Sequence, residues 1–139
     1  MKEQKTEQHP NLPSGEWEGL YKYPAIIQGL YEEGKMNFVI DFCDGGIIGF
    51  GSDQIGGYTW KGRYDIDKMQ CWMTKSYTTH DIEYEGNIDD NGIWGFWLTG
   101  SDRFKGTFHI WPKGKSVNEV AEEKKENVVN IEKTMITSI

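Results

Sequence analysis

The 139-residue chain reads as an all-β protein, an antiparallel up-and-down meander of about eight strands closed into a barrel. Three observations predict this. First, residues 57–65 alternate: Tyr58, Trp60, Gly62 and Tyr64 fall on one face, and Thr59, Lys61, Arg63 and Asp65 on the other, the signature of a strand with one buried and one wet side. Second, turn residues recur roughly every ten positions, the spacing of a meander with short connections. Third, the chain is 14% aromatic and holds 17 glycines. Rings favour strands, and glycines permit turns and close approach of one strand to another.

Each element follows from the same alternation. The first strand covers Gly15 to Tyr23, with Trp17, Gly19, Tyr21 and Tyr23 on one face, and Pro24 ends it. Residues 25–34 fit either a short helical lid or more strand. Met36, Phe38, Ile40 and Phe42 form the buried face of the second strand. Asp44-Gly45-Gly46 is a tight turn, because Asp-Gly tolerates positive φ. Ile47 to Ser52 is a third strand, and residues 53–57 turn into the fourth. Residues 65–68 turn again. The fifth strand, Met69 to Tyr77, carries large side chains on both faces, so its orientation stays open. After a turn at 78–80, Ile82, Tyr84 and Ile88 alternate with Asp81, Glu83, Glu85 and Asn87. Asp89-Asp-Asn-Gly92 is a strong turn signal. Ile93 to Thr99 is apolar on both faces, and its parity is likewise open. Phe104, Gly106, Phe108 and Ile110 define the last strand before Pro112.

Three segments follow: a polar, flexible N-terminal arm (1–14), a barrel domain (15–114), and a C-terminal helix or frayed tail (115–139), where Val117, Val120, Ala121, Val128, Ile131 and Met135 sit near helical spacing.

Composition excludes several classes. The net charge is −7 and no basic cluster is present, so a broad nucleic-acid footprint is not expected. No segment has the length of a membrane helix, and the N-terminus lacks the apolar run of a signal peptide. A soluble, cytoplasmic protein is expected, unless a leader precedes this numbering. Cys43 and Cys71 read as free buried thiols. No nucleophile elbow, phosphate loop or metal-spaced Cys/His set occurs, so no cofactor or metal is expected and catalysis is not the favoured reading. Asp89-Asp-Asn-Gly92 lacks the spacing and terminal Glu of a calcium loop.

The opening Gly15-Glu-Trp17-Glu-Gly19, with the eight-strand meander and a helix after it, resembles the calycin group of lipocalins, fatty-acid-binding proteins and avidins. The match is one of pattern over residues 15–112. It implies an up-and-down barrel able to hold a small apolar ligand, but no biotin, because the polar shell of avidins is not laid out here. Residues 15–24 also look like the opening of nitrobindin-type haem barrels. That family has a late proximal histidine; here the only late one, His109, has outward parity, and haem is not implied.

Two constellations carry the functional expectation. Tyr21, Trp60, Tyr64, Tyr84 and Trp97 share inward parity and either line a ligand cavity or fill a small barrel outright. Lys75, Tyr77 and His80 gather around one hairpin. Facing inward, they would form a polar barrel mouth for an anionic or carbonyl head group; the plainer and preferred reading is a snorkelling lysine beside a solvated histidine. The expected function is non-catalytic binding of a small hydrophobic or aromatic ligand in the barrel. The alternatives are a solid barrel serving protein interaction, with homo-oligomerisation open, and a small-molecule enzyme using the mouth residues.

Overall fold

The computed structural model of the chain describes residues 5–23, 33–99 and 105–114. Eight strands run in order: β1 (Gly15–Lys22), β2 (Glu33–Cys43), β3 (Gly46–Ser52), β4 (Gly57–Asp65), β5 (Gln70–Tyr77), β6 (Asp81–Asp89), β7 (Gly92–Thr99) and β8 (Lys105–Pro112). Each pairs antiparallel with the next. β8 pairs back onto β1, with Trp17 opposite Pro112 and Lys22 opposite Thr107, so the sheet is a closed barrel as expected. The described residues contain no helix. Of the segment 25–34, open between lid and strand, residues 33–34 begin β2 and 25–32 lie outside the described residues, as do the turn at 100–102 with Phe104 and the C-terminal helix or tail at 115–139.

Register explains why rings and glycines alternate. Across the ladders Trp60 stands opposite Gly49, Phe38 opposite Gly51, Tyr21 opposite Gly34, and Trp97 opposite Gly106. A large ring on one strand thus lies over a bare backbone on its neighbour. At Gly34 a Cβ would fall 1.9 Å from Tyr21 Cζ, inside the ring. At Gly62 it would fall 2.0 Å from the Trp72 carbonyl oxygen, so β4 and β5 could not approach as they do with any side chain there. At the β2–β3 hairpin, Asp44 (φ 49°) and Gly45 (φ 82°) both take positive φ, the geometry of a tight primed turn.

The orientations left open by the sequence are resolved by burial. On β5, Cys71, Met73, Lys75 and Tyr77 are buried and Trp72, Thr74 and Ser76 are half-buried. On β7, Ile93, Gly95 and Trp97 are buried and Trp94, Phe96 and Leu98 half-buried. His109 has outward parity on β8, yet it is buried, with Nε2 2.7 Å from the Asn91 carbonyl oxygen and its ring edge-on to Trp111.

The two barrel ends differ. At the end carrying the β2–β3, β4–β5 and β6–β7 turns, residues 5–14, expected as part of a flexible arm, lie against the strands. Leu12 is fully buried. Glu7 N–H donates to the Phe42 carbonyl at 2.8 Å, Phe42 N–H to Ser14 Oγ at 2.9 Å, and Trp17 Nε1–H to the Pro13 carbonyl at 2.7 Å. Tyr64 donates its phenol proton to Glu7 at 2.8 Å. Phe42 meets Tyr64 edge to face and Trp17 at a tilt beneath this cover. The opposite end carries the β3–β4 and β5–β6 turns and a different chemistry.

If Leu12 seals the arm end, Leu12→Ala leaves an uncompensated cavity there. It should lower unfolding free energy by about 2–5 kcal/mol, seen as a lower urea midpoint at unchanged slope.

Candidate functional site

A side-chain ammonium is costly to bury unless it is paired and hydrogen-bonded. Lys75 is fully buried all the same. The register explains its position: Lys75 stands opposite Trp60 on β4 and Ile82 on β6, and strand alternation then turns it inward with Met73 and Tyr77. The expected snorkelling lysine is corrected on this point. Its parity is inward, and its Nζ lies in the barrel rather than in water.

The counter-charge comes from the β3–β4 turn. Asp53 Oδ1 accepts from Ile55 N–H at 2.9 Å and Gly56 N–H at 3.3 Å, which fixes the turn locally. That leaves Oδ2 free to point into the barrel. There it accepts from Lys75 Nζ at 2.7 Å and from the Tyr77 phenol, and both side chains of the ion pair are buried. One carboxylate therefore holds a turn with one oxygen and a buried cation with the other.

The rest of the ammonium faces rings and sulfur. Nζ is 3.2 Å from Met36 Sδ and sits over Tyr58 (4.4 Å), Tyr21 (4.7 Å), Tyr77 (5.0 Å), Trp60 (5.8 Å) and Tyr84 (5.8 Å). Negative ring faces attract a cation, more strongly once water is excluded. The rings also brace one another: Tyr58–Trp60, Tyr58–Tyr77 and Trp60–Tyr84 meet near edge-on at 4.9–5.7 Å.

These surroundings shift the titrating groups in opposite senses. Burial pulls the Lys75 ammonium down to about 8, against the opposing hydrogen bond and charge of Asp53. Burial pushes the Asp53 carboxyl up, but the bonds from Lys75 and Tyr77 and the lysine charge outweigh it, so the carboxyl sits below its ordinary value. The Tyr77, Tyr58 and Tyr84 phenols are pushed up, chiefly by burial and further by the Asp53 charge. The resting site is an ammonium–carboxylate pair among neutral phenols. Of its groups, the lysine lies nearest to changing its charge in mildly basic solution.

One donor in the site stands apart. Trp60 is 1% exposed, and its Nε1–H has no hydrogen-bond acceptor among the described residues. A buried N–H left without a partner costs about 1–3 kcal/mol.

The five expected interior rings are all buried, but only Tyr21, Trp60 and Tyr84 meet at Lys75. Tyr64 belongs to the arm end. Trp97 packs on Tyr23 and donates to the Lys22 carbonyl at 3.2 Å. His80 is exposed; its ring stacks on Tyr77 at 4.9 Å, outside the ion pair. Asp53, Tyr58 and Met36 complete the site without having been expected there. Asp53 was legible as a turn cap, and only the inward parity of Lys75 marks its second oxygen as a partner.

Among the described residues no group of three or more His, Cys, Asp or Glu could hold a metal ion, and no helix is long and apolar enough to cross a membrane. Asp89, at the turn that faintly suggests a calcium loop, spends its oxygens on Asn91 N–H and Trp94 Nε1–H. Comparison with protein families, curated proteins and solved structures finds no match to this chain. The class is therefore defined by its geometry, an eight-stranded antiparallel up-and-down closed barrel, consistent with a calycin-like fold.

Because the folded Lys75 titrates near 8 and an unfolded lysine near 10.4, the unfolded chain binds more protons between those values. The sign follows: this group makes stability rise with pH across that window, by at most about 1.4 kcal/mol per pH unit. Ionising tyrosines oppose it above pH ~10. Denaturation at pH 7.5 and 9.5 should show the rise in the native protein and its absence in the double variant Lys75→Met with Asp53→Asn.

Proposed function

We propose that this barrel is a non-catalytic binder of a small hydrophobic or aromatic molecule, held at the end of the interior where Lys75 and Asp53 lie. The observation that carries the reading is the Trp60 indole N–H, buried beside a charged pair and lacking an acceptor. Buried polar groups in native proteins are almost always satisfied, and an exception calls for a missing partner. A ligand with an apolar body and one acceptor atom meets the whole set: rings for the body, the indole N–H for the acceptor. Ligand sites of this kind are mostly apolar with a few placed polar groups. A buried ion pair also contributes little to stability that packed apolar residues could not supply, which favours a role beyond folding. The likeness to lipocalin-, avidin- and fatty-acid-binding-type barrels is in keeping with this reading, though fold by itself does not settle function.

Native mass spectrometry of protein purified from its own source should reveal a small mass that is lost on denaturation. Trp60→Phe removes the donor and keeps a six-membered aromatic ring. It should weaken ligand affinity roughly tenfold, about one hydrogen bond's worth. A bare native protein, with Trp60→Phe behaving like wild type, would count against the reading.

A second reading rests on the outer wall. Val39, Ile48 and Phe50 form an apolar patch on β2 and β3, the last two being 61% and 63% exposed. Beside it runs a groove of about 410 Å³ bordered by Glu16, Asn37, Phe50, Ser52 and Lys113. Asp41 and Lys61 flank Ile48 on opposite strands. A two-fold axis along β3 would set Asp41 of one copy against Lys61 of the other, so the patch fits a second copy of this chain. Sedimentation of the native protein should then give a dimer that Phe50→Lys reduces to monomer. A native protein that stays monomeric as concentration rises sinks this reading.

A further inference from the structure

We propose that Lys75 binds carbonyl compounds covalently, as an imine, so that the ligand of the barrel is an apolar aldehyde or ketone. The inference rests on the interior-ligand reading above and deepens it. Four features of the cluster point the same way. The nucleophile is a primary amine held inside the barrel rather than in water. Its proton has a fixed acceptor, Asp53 Oδ2, at 2.7 Å. The same oxygen is bonded by the Tyr77 hydroxyl, which can return a proton by way of that carboxyl. And Trp60, whose ring centre lies 5.8 Å from Nζ, brings an unused buried N–H into the same aromatic cluster, a donor for an acceptor atom of the ligand. The amine is also lowered to about 8 by burial, whereas an ordinary lysine is protonated almost completely at that pH.

The step balances without any added oxidant or reductant. The Lys75 ammonium passes one proton to the Asp53 carboxylate. The freed nitrogen lone pair attacks the carbonyl carbon and forms a C–N bond, while the carbonyl π pair moves to oxygen. A proton moves from nitrogen to that oxygen, giving a neutral carbinolamine. The C–O bond then breaks, and the hydroxyl leaves as water with the proton held by Asp53. The product is an iminium, and it carries the same single positive charge as the starting ammonium. Asp53 returns to carboxylate and pairs with the iminium as it did with the lysine. The surrounding rings exclude water, which slows the reverse hydrolysis, and the ligand body lies where those rings converge.

The test uses octanal as the probe at pH 8, with borohydride to reduce and trap the imine, followed by intact-mass analysis and peptide mapping. The expected result is a single adduct on Lys75, at least tenfold above labelling at any other lysine. It should be absent in Lys75→Arg, which keeps the charge and the pairing to Asp53. Mapping on the native protein stands by itself if that variant does not fold. Octanol, which has the same chain and no carbonyl, is titrated in parallel by tryptophan fluorescence. Octanol binding with no Lys75 adduct from octanal overturns the imine and leaves the interior-ligand reading standing. If octanol does not bind and octanal labels lysines indiscriminately, both fall.

Discussion

The constraint on which the rest depends is closure. β1 is paired on both edges, to β2 and to β8, so every strand has two neighbours and one of its faces is committed to the interior. Inside a ring of eight strands there is little room for side chains from every position. The chain meets this by facing large rings with glycines across the ladders, Trp60 with Gly49 and Trp97 with Gly106 among them. Strand approach, ring orientation and the inward direction of each functional group all follow from that pairing.

Closure also separates two chemistries along the axis. At one end the core is apolar, with Leu12, Trp17 and Phe42 buried under residues 5–14. At the other, a lysine, a carboxylate and several phenols share a space from which water is excluded. The ion pair exists there because a turn and a strand meet: Asp53 needs one oxygen for its own turn, and β5 delivers Lys75 to the other. Neither partner would be buried alone, since an unpaired charge in that position would cost several kcal/mol. The rings then perform two tasks. They brace one another edge-on, and their faces support a cation.

The outer wall is less uniform than a simple wet face. Thr107 and His109 have outward parity and yet are buried, whereas Ile48 and Phe50 stand in solvent on the far side of the barrel wall. Alternation within a strand assigns a side chain to a face; it does not say what lies against that face. The same limit governed the site. Tyr21, Trp60 and Tyr84 were legible as interior residues because their strands alternate cleanly. Lys75 was not, because Trp72 on the opposite face of β5 is as large as anything on its own. Asp53 was legible only as a turn residue, since nothing local distinguishes an aspartate that caps a turn from one that also reaches inward.

By itself the sequence determined the class of fold, the order of the strands and their turns, and the inward faces of β1, β2, β4, β6 and β8. Period-two patterning and turn chemistry are local, and both are written in consecutive residues. Only the tertiary structure decided the parity of β5 and β7, the meeting of Tyr64 with Glu7 at the arm end, and the pairing of Lys75 with Asp53. Those facts depend on register between strands and on the direction of side chains separated by some twenty residues or more, here 22 for the ion pair. A buried charge finds its partner across space, and a sequence records only the distance along the chain.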